Sequence, residues 1–302
     1  MISRTSETED TWKKYKVFLR NRLARVYPLH IFTFSLFLIT DILIMIILDY
    51  YELWYDDGRN PSLLILTNIT LTHAWGFYEG MSFNYPSWSI STEFLAYLVF
   101  PVLSALLSKK HSYFYFVSCL VLLACLYLVS FQKQGLLSVD FKYGFCVYRC
   151  IILFSVGIIL FEISGKLSKR IADYTGSDTS LLLSIVFTVI LMDYGMSADV
   201  SVIPLFMWIV ISARFNKGVF YKILSLKPLH FLGQISYSIY MNHAFIQTTW
   251  AMIFPKHFSK IFTKTQGITM FFLFMMLVLV CSWFTYIFIE KPARRIIKKL
   301  IV

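Results

Sequence analysis

Residues 18–30 read Phe-Leu-Arg-Asn-Arg-Leu-Ala-Arg-Val-Tyr-Pro-Leu-His, and an apolar run of roughly twenty residues starts at Pro28. Arg20, Arg22 and Arg25 therefore stand directly before a segment long enough to cross a bilayer. Basic residues that flank a span hold that end on the cytoplasmic side. Arg22 and Arg25 are also three apart, so on a helix both guanidinium groups share one face and can grip a phosphate-rich partner.

Composition carries the same message along the whole chain. It has 302 residues, 58% hydrophobic and 15% charged, with mean hydropathy +0.66. A soluble domain of this length cannot bury so much apolar surface, because its surface is too large for its volume. Eight apolar runs stand out, at about 28–48, 87–107, 113–131, 147–163, 180–195, 199–213, 235–254 and 268–289. The expected fold is all-α, a polytopic transmembrane bundle of eight spans with both termini cytoplasmic. The fifth and sixth runs are short enough to form one broken hairpin.

Charge supports that topology. Of the 28 basic residues, all but Arg59, Lys133, Lys142, Arg149, Lys256, Lys260 and Lys264 fall on the inner side. The net charge of +11 is thus mostly topological and does not imply nucleic acid. The five cysteines lack zinc-type spacing and read as membrane-embedded thiols. The first 25 residues are polar and basic, unlike a cleavable signal. The long first outer loop, about 49–86, carries Asp49, Glu52, Asp56, Asp57 and Glu79, and its apolar run 63–71 is too short to span and suits a re-entrant or interfacial segment. Asn68-Ile69-Thr70 is a formal glycosylation sequon. Residues 214–233 look like an amphipathic surface helix.

Polar groups inside spans are costly and face the bundle or a watery cavity, so their helical spacing is informative. In the second span Ser89, Glu93 and Tyr97 recur every four residues, with Trp88 at the outer boundary. Serine and tyrosine there also serve as interhelical hydrogen-bonding groups, but a carboxylate more than one turn inside a span points to function. In the seventh span Ser236, Tyr240, His243 and Gln247 form one stripe, and His243 suits proton transfer or, equally, a satisfied buried histidine. In the first span His30, Thr33 and Asp41 lie on roughly one side, Asp41 deep in the run. Glu290 closes the eighth span as Glu-Lys-Pro, either capping the inner mouth of a site or solvated. No phosphate-binding loop, dinucleotide fingerprint, nucleophile elbow or HExxH is present, and no metal-ligand pattern.

These landmarks resemble the acyltransferase 3 family of integral membrane O-acyltransferases. The matching pieces are Arg22-Leu-Ala-Arg25 before Tyr27-Pro28, Trp88-Ser89 with Glu93, residues 236–240 with His243, and Glu290-Lys291-Pro292. The resemblance covers essentially the whole chain as a single domain, 1–302. It implies transfer of an acyl group, most simply acetyl, from cytoplasmic acyl-CoA to a hydroxyl of a carbohydrate, as in O-acetylation of a cell-surface polysaccharide or its lipid-linked precursor. It also implies a multi-pass protein of the cell (inner or plasma) membrane, in contact with lipid, with no tightly bound cofactor. Carried over, Arg22 and Arg25 bind the donor's phosphates, Glu93, His243 and Tyr240 are the catalytic candidates, and Trp88, Ser89, Ser236, Tyr237 and Glu290 line the substrate site.

The family pattern has ten helices and sets Arg-x-x-Arg in an inner loop after two of them. The first of those two carries an Arg and a His considered catalytic, and the second a Ser-Gly-Phe motif. Neither is found here, so the expectation is an N-terminally truncated member whose activity depends on that His. The competing reading is a transporter or flippase-type protein that uses Glu93, Asp41 and His243 as an intramembrane relay. Transporters tend to show two halves related by internal repeat, and no such symmetry is visible.

Overall fold

The computed structural model describes residues 2–48, 60–77, 82–107, 112–134, 145–193, 199–253 and 264–299. The expected acidic loop residues Asp49, Glu52, Asp56, Asp57 and Glu79, and Lys256 and Lys260, lie outside them. Among the described residues the chain is helical, with no strand. Its helices are α1 (Ile2–Leu48), α2 (Pro61–Ile69), α3 (Trp88–Leu107), α4 (Ser112–Gln134), α5 (Phe145–Lys166), α6 (Lys169–Thr175), α7 (Asp178–Asp193), α8 (Asp199–Phe215), α9 (Val219–Leu224), α10 (Lys227–Ile253), α11 (Lys264–Thr285) and α12 (Lys291–Lys299).

Within the described residues, each of the eight apolar runs is helical. Four helical stretches are long and apolar enough to cross a membrane: Trp12–Ile47, Tyr85–Leu107, Cys146–Lys166 and Thr265–Ile297. The pair α6 and α7, bent by 52° at a short break, makes a fifth if it counts as one span. All five cysteines are free thiols.

The helices gather into two compact units, one of residues 1–97 with 232–302 and the other of residues 98–231. In the first unit α1 packs on α12 and on the π-helical turn Tyr286–Glu290 that joins α11 to α12. Its apolar core is Val26, Leu29, Leu71, Ile90 and Met241. The helix continues through the arginines, so Arg20, Arg22 and Arg25 stand on α1 itself, where the family pattern sets a loop. Nothing breaks it there, because Leu, Ala and Arg are all strong helix formers.

The short apolar run becomes α2, started by Asn60, whose side chain accepts from Ser62 N at 3.0 Å and Leu63 N at 3.4 Å, and by Pro61. Nine residues rise only about 14 Å, less than half a hydrocarbon core. The chain then reverses at Leu71, a buried leucine in the left-handed region at φ 57°. That geometry costs roughly 1–2 kcal/mol, and Ser91 offsets it by clamping the turn. Ser91 Oγ donates to Leu71 O at 2.8 Å and accepts from Ala74 N at 3.1 Å, while its carbonyl accepts from Trp75 Nε1 at 3.0 Å. Asn68 is 1% exposed and bonded to Leu64 O and Ser82 Oγ, so the sequon asparagine is core, not an accessible surface site.

Below that reversal lies a buried polar layer. His30 and His73 stack in parallel with centroids 5.8 Å apart. His30 Nε2 meets Asn68 O at 2.8 Å, His73 Nε2 meets Ser87 Oγ at 3.0 Å, and Asn84 donates to Thr33 Oγ1 and Met241 O. Burial, helped by the neighbouring His30, pushes the His73 imidazole down to about 3.

In the second unit α7 and α8 pack side by side, as do α4 and α5 around Tyr115, Cys119, Val156 and Ile159. The expected surface helix over 214–233 divides instead into α9 and the start of α10, with a turn at Ser225. Pro228 near the first turn of α10 has no N–H to continue a ladder from α9. Asp178 and Asn216 tie α7 to the start of α9: Asp178 accepts from Val219 N at 2.8 Å and from Asn216 Nδ2 at 2.9 Å. The crossing is tight, because a Cβ at Gly176 would meet Phe215 O at 2.6 Å.

Two outcomes follow from this packing. Gly176→Ala must displace backbone and is expected to destabilise the protein by roughly 1–3 kcal/mol, read as a lower thermal midpoint in detergent. His73 is neutral when folded but takes a proton near 6.5 when unfolded, so the unfolded state binds more protons between pH 6.5 and about 3. Stability is therefore lost as pH falls through that window. His73→Gln is expected to flatten that part of the stability–pH curve, and an unchanged slope would refute the assignment.

Candidate functional site

Within the first unit, α1, α3 and α10 enclose a cleft of about 310 Å³ lined by Arg22, Arg25, Val26, Ser89, Ile90, Glu93, Tyr97, Ser236, Tyr237 and Tyr240. Helical repeat places each group. Arg22 and Arg25 are one turn apart on α1, Ser89, Glu93 and Tyr97 follow one seam of α3, and Ser236 and Tyr240 are one turn apart on α10. Three segments far apart in sequence thus supply two cations, one carboxylate and five hydroxyl groups to one space.

Aromatic rings and carbonyls hold these side chains in place. Phe18, one turn before Arg22, and Tyr97 both offer their faces to the Arg22 guanidinium at 5.3 Å, and meet each other edge-on at 5.7 Å. The Tyr97 hydroxyl donates a short hydrogen bond to Glu93 Oε1, leaving the second carboxylate oxygen for other work. Across the cleft, Ser89 Oγ and the Tyr240 hydroxyl are 2.7 Å apart, and Tyr240 donates to Pro86 O at 2.7 Å. Tyr237 donates to Val26 O at 2.6 Å and so fastens α10 to α1 beside Arg25. Ser236 Oγ bonds Gly233 O within its own helix.

The cleft therefore brings together Arg22, Arg25, Ser89, Glu93, Ser236, Tyr237 and Tyr240 from the residues expected at the site. Trp88, His243, Glu290 and Asp41 are not among its lining. His243 lies one turn beyond Tyr240, its ring 5.7 Å from the Tyr240 ring and edge-on to Tyr85 at 6.4 Å. Its Nδ1 is 2.6 Å from Tyr240 O. A carbonyl only accepts, so Nδ1 carries a proton in this contact. The polar stripe of α10 continues to Gln247, which accepts from the Tyr85 hydroxyl at 2.9 Å.

Glu290 is buried rather than solvated, and it is not among the residues that line the cleft. It is 1% exposed and accepts from Ser238 Oγ at 2.8 Å. The π-helical turn that ends on it rotates the carboxylate inward, a geometry that hydropathy does not encode. Arg25 and Arg294 lie near enough to act on its charge, so Arg25 is shared between the cleft and this buried acid.

Sequence reasoning passed over two groups. Tyr97 was visible on the Ser89–Glu93 seam, but its role as lid on Arg22 needed the α1–α3 packing. Ser238 and Asn242, four apart on α10 and buried, point away from the stripe. Asn242 donates to Thr285 Oγ1 at 2.7 Å and completes the tie to α11. Among the described residues no cluster of three or more His, Cys, Asp or Glu is placed to hold a metal ion.

The arrangement can do three things chemically. Two guanidinium groups can bind phosphate, a carboxylate held by a tyrosine can accept a proton, and the Ser89 and Tyr240 hydroxyls can donate to a developing oxyanion by turning from Pro86 O. Acyltransferase MdmB of Streptomyces mycarofaciens is 38% identical over 98 residues, which is 30% of this chain and 22% of that protein. No solved structure matches significantly. The model of the acyltransferase 3 family, described as an acyltransferase domain, matches residues 8–287, and the chain belongs to that family.

Proposed function

We propose that the protein is a membrane O-acyltransferase that moves an acyl group, most simply acetyl, from cytoplasmic acyl-CoA to a hydroxyl of a carbohydrate or cell-surface polysaccharide precursor. The observation that carries the reading is the convergence of Arg22 and Arg25 with Glu93 on one cleft. Family membership and the name of the relative support acyl transfer. The excess of basic residues at one set of loops supports eight spans in the cell membrane, with both termini and the Arg22 end of α1 at the cytoplasmic face, where acyl-CoA is found.

In this reading Arg22 and Arg25 hold the phosphates of the donor and orient its thioester. The acceptor hydroxyl loses its proton to the Glu93 oxygen that Tyr97 leaves open, and its oxygen bonds to the thioester carbonyl carbon. The oxyanion so formed takes a hydrogen bond from the Tyr240 hydroxyl, which turns to it from Pro86 O. The carbon–sulfur bond then breaks, and the departing thiolate recovers the proton from Glu93. His243, one turn beyond Tyr240, is the second candidate base, while Ser236 and Tyr237 shape the acceptor side.

Transfer of radiolabelled acetyl from acetyl-CoA, measured in membranes that carry the full chain, tests this. Arg22→Ala and Arg25→Ala are each expected to raise the donor KM about tenfold, the value of one charge-assisted hydrogen bond. Glu93→Gln is expected to lower kcat by about a hundredfold or more while leaving donor KM nearly unchanged. Transfer indifferent to all three changes would refute the site.

A further inference from the structure

A second cleft, of about 460 Å³, lies wholly within residues 98–231, between α5 and α8. Its lining on α5 falls at Leu153 and at offsets 3, 4, 7, 8 and 11 from it, ending on Ser164. The lining on α8 has the same offsets from Ile203 and ends on Arg214. Two helix faces of equal period thus form a straight groove about 16 Å long at 1.5 Å per residue. Ser164 and Arg214 alone interrupt an otherwise apolar lining, and both are at the same end.

The shape and the charge select the occupant. The apolar lining along the groove's length suits an alkyl chain, and the cation at its end suits an anionic headgroup. Phe161 is 65% exposed and Val210 58%, so the groove is open along its side. A Cβ built on Gly157, an exposed residue of the groove lining, meets nothing within 4 Å. At the polar end Arg214 donates to Ser164 Oγ at 2.8 Å, and its guanidinium lies over Phe161 at 5.1 Å and near Phe215 at 5.7 Å. Ser164 in turn donates to Phe161 O at 2.8 Å, which orients the pair. One of five guanidinium N–H donors is used there, so the rest can meet an anion. An apolar slot closed by a held cation matches a lipid tail followed by a phosphate.

We propose that the α5–α8 groove binds one chain of an anionic phospholipid, with its phosphate on Arg214. The site is separate from the Arg22 cleft and does not depend on the transfer reaction. To test it, the purified full chain is exchanged into mixed phosphatidylglycerol and phosphatidylcholine, and the lipid retained after delipidation is counted by native mass spectrometry. Wild type is expected to retain phosphatidylglycerol about fivefold over phosphatidylcholine, the effect of one arginine near an anionic headgroup. Arg214→Gln, on an exposed side chain, is expected to abolish the preference. Gly157→Leu, which adds bulk to the groove lining, is expected to lower retention of both lipids at unchanged thermal midpoint, and Val210→Trp serves as a second block should Gly157→Leu fold poorly. Equal retention of the two lipids by wild type, or retention untouched by a folded groove-filling variant, overturns the proposal. So does cross-linking of Val210→Cys between copies, which would show the groove covered by a second chain.

Discussion

The hydrogen bond from the Tyr237 hydroxyl to the Val26 carbonyl joins α10 to α1 at the level of the arginines. The rest of the candidate site depends on that contact, because α10 brings Ser236 and Tyr240 while α1 brings Arg22 and Arg25. Polar groups inside spans drive such contacts. A buried hydroxyl or amide without a partner costs about 1–3 kcal/mol, and lipid offers none. The polar atoms of α1, α3 and α10 therefore turn toward one another, and the space left between them is a cleft already lined with charge and hydroxyls.

Two polar systems share the first unit, and they differ in purpose. The cleft leaves part of its hydrogen-bonding capacity open: Glu93 has one oxygen engaged by Tyr97, and the guanidinium of Arg22 rests on rings rather than on a carboxylate. The buried layer is more closely tied, with His30, Asn68, His73, Ser87 and Asn84 linked into the turn after α2. Three atoms there, His30 Nδ1, Asn68 Oδ1 and Asn84 Oδ1, still have no hydrogen-bond partner. This layer holds the α2 reversal against α1 and α3, and so sets where Pro86 and Ser89 meet Tyr240. The π-helical turn at Glu290 extends the same logic to the far side of α10.

The second unit solves its packing with different means. Gly176 admits the Phe215 backbone, and Asp178 with Asn216 anchors α9. The α5 and α8 faces, by contrast, remain unfilled along a groove. Capped crossings at one end and an open apolar slot along the side are compatible in lipid, where exposed Phe and Val cost nothing.

Much was legible from residue order. The eight apolar runs are each helical over their described residues, since runs of that length and hydropathy have few other states. Period-four recurrence of Ser89, Glu93 and Tyr97, and the stripe through Ser236 and Tyr240, named faces that do meet, because helical spacing alone decides which side chains share a face. The burial of Glu290 was not visible, since a π-helical turn changes the facing of a residue without changing its neighbours in sequence. The α9–α10 break, the left-handed Leu71 and the burial of Asn68 were likewise beyond a linear pattern. The sequence by itself determined the helices, their apolar faces and the one-turn spacing of Arg22 and Arg25, because those depend on near neighbours. Only the tertiary structure decided that Tyr97 covers Arg22, that Tyr240 meets Ser89, that His243 stands outside the cleft and that α5 and α8 leave a groove. Those outcomes come from partners tens to hundreds of residues apart, whose pairing depends on how the helices pack.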